Sequence, residues 1–373
     1  MVILLSGAGL LLRSYVNVEA EQPGFSSSTV SMSLQLDAQY QTGEQSLAFF
    51  RSLLGKIESI PGIQSVGVVN ALPFSNSESL SSFWVEGYAN QKEQLVNDRN
   101  ITPHYLDAMG IPLVEGRSFT DDDAPGRPIV AMLNQAFARK YFGNRDPVGE
   151  RIRTSGPTNP WRMVIGVVKN EHYSSLESAA VPEIHEPLWQ NTNAGIAYVA
   201  IRSSLPPGNV VNDVRAVLRT INSDLALGDI HTMGDLISHS TARRRFQTIL
   251  MTAFSAMAML LGIVGIYGLV AWSVKQRTPE IGLRIALGAS RQHVLGLILL
   301  QGLRLTLFGL LMGFVIDLAL TRILAASLYG VGAFDPITFV AVPAVLLLSA
   351  SVACLIPAPR AASVDPMRTL RYE

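Results

Sequence analysis

Apolar residues are distributed along this chain in two different ways. From residue 246 onward they come in long runs: 246–274 holds no charged residue, 294–324 carries Arg304, Asp317 and Arg322, and 337–356 is uncharged but contains Pro343. A bilayer core about 30 Å thick needs roughly 20 apolar helical residues, and a buried helix of a soluble protein seldom sustains more than roughly 10 to 14. Each run therefore predicts a membrane span. Pro343 fits such a helix, because neighbouring groups in a bundle can satisfy the carbonyl it frees. Residues 1–12 are apolar as well, up to Arg13. They are read as a first span shortened at its start, 1–13, since no basic stretch precedes the run and no Ala-x-Ala site follows it.

Between these regions, the pattern is that of a folded polar domain. Val30, Met32, Leu34 and Leu36 alternate as a strand within 29–36. Leu47, Phe50, Leu53, Leu54 and Ile57 share one side of a helix over 43–60, and a strand returns at 63–71 after Pro61 and Gly62. The same order recurs later: a strand at 197–202, a helix over 210–221 with Val214, Val217, Leu218 and Ile221 inward, and a strand at 230–233. Two strand-helix-strand units can join into one ferredoxin-like α+β layer, here 26–80 with 195–235. The stretch 81–190 between them reads as an inserted α/β subdomain, anchored by 102–116, 128–142 and 161–168. Its central element is a strand at 129–133 followed by a helix capped by Asn134 and stopped at Gly143.

Orientation follows from Lys and Arg in short loops, which stay on the cytoplasmic side. Lys275, Arg277, Arg284 and Arg291 populate 275–293, and Arg360, Arg368 and Arg371 populate the tail 357–373. Both are placed in the cytoplasm, so 14–241 lies outside together with 329–335. Arg243, Arg244 and Arg245, just before the 246–274 span, run against this bias.

Composition agrees: 48% of residues are hydrophobic and the formal net charge is zero. Zero charge argues against nucleic acid as a partner. Cys354, the one cysteine, falls inside the last apolar run, so neither an internal disulfide nor a cysteine metal site is available. Motifs for chemistry are missing. There is no phosphate-binding Gly-x-x-x-x-Gly-Lys-Ser/Thr loop, no His-Glu-x-x-His pair and no Gly-x-Ser-x-Gly elbow. The histidines at 104, 172, 185, 231, 239 and 293 never fall four apart. His185 with Glu186 is the nearest approach to a ligand pair, and a surface or packing role is favoured for it. Asp121, Asp122 and Asp123 read as a solvated turn, because no further oxygen ligands follow at the spacing a calcium loop needs. Asn100 to Thr102 forms a glycosylation triplet, taken as chance. No catalytic residue, cofactor or metal ligand is assigned, and a membrane-anchored hydrolase is disfavoured.

The loop between the first two long runs is the most specific feature. Glu280 and Arg284 stand at i, i+4 with the acid first, the favourable order on a helix, and Pro279 suits its first turn. Ile281, Ile285, Gly288 and Ala289 give a narrow apolar face that fits a groove on a partner protein or, equally on these residues alone, lipid headgroups. Gly262, Gly265 and Gly268, and Gly309 with Gly313, offer faces for close helix approach, or lie toward lipid by accident. Asp317 with Arg322 is read as an interfacial pair rather than a transport path.

The stretch RTPEIGLRIALGA at 277–289 resembles the signature of the MacB and FtsX type of ABC transporter permease. So do 266–270, 335–336, the tail 356–371, and 105–119, 134–142 and 164–168 in the outer domain. The wording is nearest to duplicated permeases of acidobacterial type, to whose second half the chain corresponds. Two departures stand out: the first span is shortened, and Pro359 occupies a position where the family usually has Arg.

The resemblance implies a four-span FtsX-like arrangement with its first span truncated, carrying a MacB-like periplasmic core domain in the inner membrane of a bacterium. It implies a non-catalytic chain, with ATP and Mg on a separate ATPase subunit that docks against Arg277, Pro279, Glu280, Ile281, Gly282, Arg284, Ala286, Leu287, Gly288 and Ala289. The tail would take part through Pro357, Arg360, Asp365, Pro366 and Arg371. A second permease copy or a duplicated half is implied beside the lipid bilayer, and an efflux system would add a periplasmic adaptor and an outer-membrane channel. The function implied is mechanotransmission for efflux or export. The rival reading within the superfamily is a signalling membrane protein that regulates cell-envelope enzymes.

Overall fold

The structure, a computed structural model, describes residues 1–36, 40, 43–75, 77–87, 94–190, 196–276, 291–324, 329–330, 332 and 335–355. These form two units, 1–20 with 243–373, and 21–242.

The chain opens with α1 (Val2–Ala20), an apolar helix of 19 residues. It continues past Arg13, where a partial span was expected to end, and one side stays buried there, at Ser14 and Val18.

In the unit 21–242, β1 (Val30–Gln35), α2 (Gly43–Glu58) and β2 (Ile63–Val69) come first. Then follow β3 (Leu80–Val85), β4 (Gln94–Ile101), α3 (Tyr105–Met109), β5 (Leu113–Gly116), β6 (Val130–Asn134), α4 (Gln135–Phe137), β7 (Arg151–Thr154), β8 (Arg162–Val168) and β9 (Glu183–Pro187). Last are β10 (Ile196–Ser203), α5 (Pro207–Ile221) and β11 (Leu227–Thr232).

The first and last groups share one antiparallel layer in the order β11-β1-β10-β2. This is the ferredoxin-like arrangement expected from the two strand-helix-strand patterns. Its helices α2 and α5 cover one face, and Phe50, Leu53, Ile57, Val214 and Leu218 close a core with Met32, Leu34 and Val199. Burial of each such side chain contributes about 1.5–3 kcal/mol. On β2, Gly67 lets α3 lie against the sheet: a Cβ there would fall 2.3 Å from the Tyr105 Cα.

The middle group departs from expectation. Strands β4-β3-β7-β8-β6-β9 follow one another, and β9 pairs back onto β4 in parallel, which closes a six-stranded ring. An α/β subdomain was expected. Helix is present beside the ring, but the element capped by Asn134 is a single α turn followed by a π turn at Ala138–Phe142. The cap itself is as read, with Asn134 Oδ1 accepting from Phe137 N at 2.9 Å, and Gly143 ends the element at φ +64°. Its aromatic side chains serve the ring: Phe137 and Tyr141 meet Phe83 edge to face, with centroids 5.0 and 4.9 Å apart. The acidic triplet is a turn, but not wholly the solvated one expected: Asp123 is buried, held by its bidentate pairing with Arg117 at 2.8 Å. Burial alone would raise the Asp123 carboxyl, but donation from Arg117 and Thr120 holds it below the usual carboxylate range.

Helix α6 (Met233–Gln276) begins at a capping box, in which Asp235 Oδ2 accepts from Thr232 N and Thr232 Oγ1 accepts from Asp235 N. It is followed by α7 (Arg291–Leu324) and α8 (Pro336–Leu355). Among the described residues, α1, α6 and α8 are long and apolar enough to cross a membrane, and α7 holds a shorter apolar stretch, Thr306–Ala319.

Candidate functional site

The residues expected to act lie in the unit 1–20 with 243–373. The loop residues Arg277 to Ala289 and the tail residues Pro357 to Arg371 fall outside the described residues. What the structure does place is the helix packing around α1.

Of the five glycines expected to permit close approach, two do so. A Cβ on Gly262 would fall 2.5 Å from Met1 Sδ, and one on Gly313 would fall 2.8 Å from Val2 Cγ2. Both meet the beginning of α1. At Gly265, Gly268 and Gly309 a Cβ would meet nothing within 4 Å among the described residues. The even spacing of these glycines suggested continuous faces, but α1 crosses them at one level only. Gly309 and Gly313 instead border a 240 Å³ cavity, which Val2, Ile266, Leu310 and Leu346 line with apolar surface. A Cβ on Gly9 of α1, not singled out in the sequence, would fall 3.1 Å from Thr338 Cγ2 on α8.

Polar groups inside such a bundle are costly unless paired, and α1 supplies the partners. Ser255 Oγ donates to Leu4 O at 2.6 Å, and Asp317 accepts a hydrogen bond from Ser6. Asp317, expected to pair with Arg322, is 2% exposed. The Arg322 side chain lies outside the described residues.

The C-terminal part of α1 carries a second polar cluster. Ser14 is fully buried; its Oγ accepts from Tyr329 N at 2.8 Å and from Arg244 Nη1 at 2.7 Å. Asn17 donates to Gly330 O at 3.2 Å. Arg13 pairs with Asp335, whose other oxygen caps α8 by accepting from Thr338 N at 2.9 Å. Of the three arginines at 243–245, Arg244 is thereby tied to a serine of α1. The sequence offered no signal for this cluster, since its members are more than 200 positions apart. On α6 the apolar window is only 6% buried within the chain, which leaves Phe254, Leu261, Val264 and Trp272 facing outward.

The profile for the MacB-like periplasmic core domain matches residues 1–221, more than half of the chain, and that for the FtsX-like permease C-terminal region matches 252–366. The chain belongs to the MacB/FtsX permease family. Pyoverdine export ATP-binding/permease protein PvdT of Pseudomonas syringae pv. tomato is 27% identical over 72% of this chain and 42% of its own length. Macrolide export ATP-binding/permease protein MacB of Wolinella succinogenes is 26% identical over 82% of this chain and 47% of its own. The chain thus spans less than half the length of these two relatives. YknZ of Bacillus subtilis, an ABC transporter permease, is 24% identical over 84% of this chain and 78% of its own length. The periplasmic region of MacB from Actinobacillus actinomycetemcomitans matches in structure at a TM-score of 0.40 with 19% identity, covering 59% of this chain and 94% of that one.

Proposed function

We propose that this MacB/FtsX-type permease chain works by mechanotransmission. ATP, with Mg, is hydrolysed by a separate ATPase subunit docked on 275–293 in the cytoplasm. The resulting movement passes through four spans to the domain outside and drives efflux or export. No substrate need cross the lipid through the chain itself. The observation that carries this reading is the joint match of one chain to both an FtsX-like region and a MacB-like periplasmic core domain. A bacterial inner membrane is the setting this assigns. The outward apolar face of α6 fits lipid or a second permease copy. An adaptor and an outer-membrane channel belong to the same proposal. Coupling of this kind requires a two-state element that a remote ligand biases.

The test is a double substitution, Glu280→Ala with Arg284→Ala, in the full chain assembled with its ATPase in liposomes. Stimulated ATP turnover should fall by about tenfold or more, the loss of roughly 1.4 kcal/mol of coupling, with membrane insertion unchanged. Full stimulation in the variant would sink the assignment. Copurification with a peptidoglycan hydrolase instead of an export partner would favour the signalling reading.

A further inference from the structure

The ring described above buries charge on both sides of its wall. Strand β9 alternates, so that Ile184 joins the ring's apolar core while Glu183 and His185 point to the opposite side. There they meet Glu171, from the loop after β8. Their nearest ligand atoms all lie within 4.8 Å of one another, and His185 Nε2 is 3.8 Å from Glu171 Oε1. Exposure is 0% for Glu183 and His185 and 2% for Glu171.

Neither ring nitrogen of His185 has a hydrogen-bond partner among the described residues, and Glu183 lies within hydrogen-bond reach of Glu171, a second acid. Buried polar atoms are nearly always satisfied, and a carboxylate left alone in the interior costs more than any neutral group. The cationic neighbour is Arg99. Its Nη2 stands 3.5 Å from Glu183 Oε1, and its guanidinium stacks 3.8 Å from the Tyr173 ring centroid. Across the wall, Arg162 serves Glu186, with Asp98 nearby. On the site's own side of the wall, Glu171 and Glu183 thus have the one guanidinium of Arg99 between them.

We propose that Glu171, Glu183 and His185 hold a divalent transition-metal ion, with Zn2+ the first choice for one imidazole and two carboxylates. Zinc bonds of about 2.0–2.2 Å in tetrahedral geometry place donors roughly 3.4 Å apart, so the 3.8 Å between His185 and Glu171 needs a small contraction and the widest separation, up to 4.8 Å, a larger one. Glu171 is held for the purpose by the backbone. At Gly24, with φ +88°, a Cβ would lie 2.3 Å from Asn170 O and 2.8 Å from Glu171 Cα, and His172 N donates to Pro23 O at 2.9 Å. With no exposed ligand, the ion enters as the domain folds and fastens the 170–173 loop to β9.

The test uses the untagged full chain in detergent, produced with added zinc and then desalted. Metal analysis should give about one zinc per chain, chelation should lower the unfolding midpoint, and restoring Zn2+ should return it. Loading with Co2+ should give the visible absorption of a tetrahedral ion. His185→Gln and Glu171→Gln should each lose about ninety per cent of the metal, whereas His231→Ala with His239→Ala, a pair outside the cluster, should keep it. A wild-type chain with less than about a tenth of an equivalent, or with a midpoint indifferent to zinc and chelator, overturns the proposal whether or not the variants fold. Retention of metal by folded His185→Gln would do the same.

Discussion

The ferredoxin-like layer and the six-stranded ring sit in one unit and share the contact between β2 and β4, yet they are held together differently. The layer is closed by aliphatic and aromatic side chains at helical and strand spacing, such as Phe50, Leu53, Met32 and Val199. The ring encloses Phe83, Val96, Ile152 and Ile184, but also Asp98 and Glu186 with Arg162 and Thr154. The layer's stability is therefore a matter of packing, and the ring's depends on charge. Burial, and then the neighbouring Glu186, push the Asp98 carboxyl up to about 7, against the pull of Arg162 and Arg99.

The largest effect should come from the layer. Phe50→Ala removes a fully buried ring from between α2 and the sheet. It should cost about 3–5 kcal/mol in chemical denaturation, by the same amount at pH 5 and pH 8. A cost that changed strongly with pH would break the distinction between the two regions.

Next is the ring, where the sign follows from proton uptake. Below pH 3.8 Asp98 is protonated whether folded or unfolded and contributes nothing. Between 3.8 and about 7 the unfolded chain has lost this proton while the folded chain keeps it, so stability falls as pH rises and levels off above 7. Asp98→Asn should remove that slope, and its advantage over wild type should grow by on the order of 2 kcal/mol between pH 5 and pH 7. Denaturation curves at the two values, with equal slopes in both proteins, would refute the account.

The smallest effect tests a junction. Asn134 Oδ1 accepts from Phe137 N and also from Glu183 N at 3.0 Å, joining the helical turn to β9. Asn134→Ala should cost about 1–2 kcal/mol and quicken hydrogen exchange at the amides of 137 and 183 first. Protection lost equally in the layer would show that ring and layer open as one.

The contrast also explains what could be read in advance. Leu47, Phe50, Leu53, Leu54 and Ile57 announce α2 because local periodicity and burial coincide there, and Val30, Met32 and Leu34 do the same for β1. Strands β4 and β9 give no such signal: QLVNDRNI and EIHEP carry charges at positions that prove buried. A reading of polar residues as exposed misplaces every one of them. His185 with Glu186 looked like the nearest ligand pair, but adjacent residues of a strand face opposite ways, so Glu186 turns to Arg162 and His185 to Glu171 and Glu183. Five glycines in two rows looked equivalent, and only where α1 crosses them do Gly262 and Gly313 differ from the rest.

By itself the sequence determined the long apolar helices, the two strand-helix-strand units and the family, because length, periodicity and motif are local properties of the chain. The tertiary structure decided the closure of β9 on β4, the anchoring of α1 through Ser14, Arg13 and Asn17, and the meeting of Glu171 with Glu183 and His185. Each of these joins residues distant along the chain through pairing or charge compensation, and such partners leave no period in the residues between them.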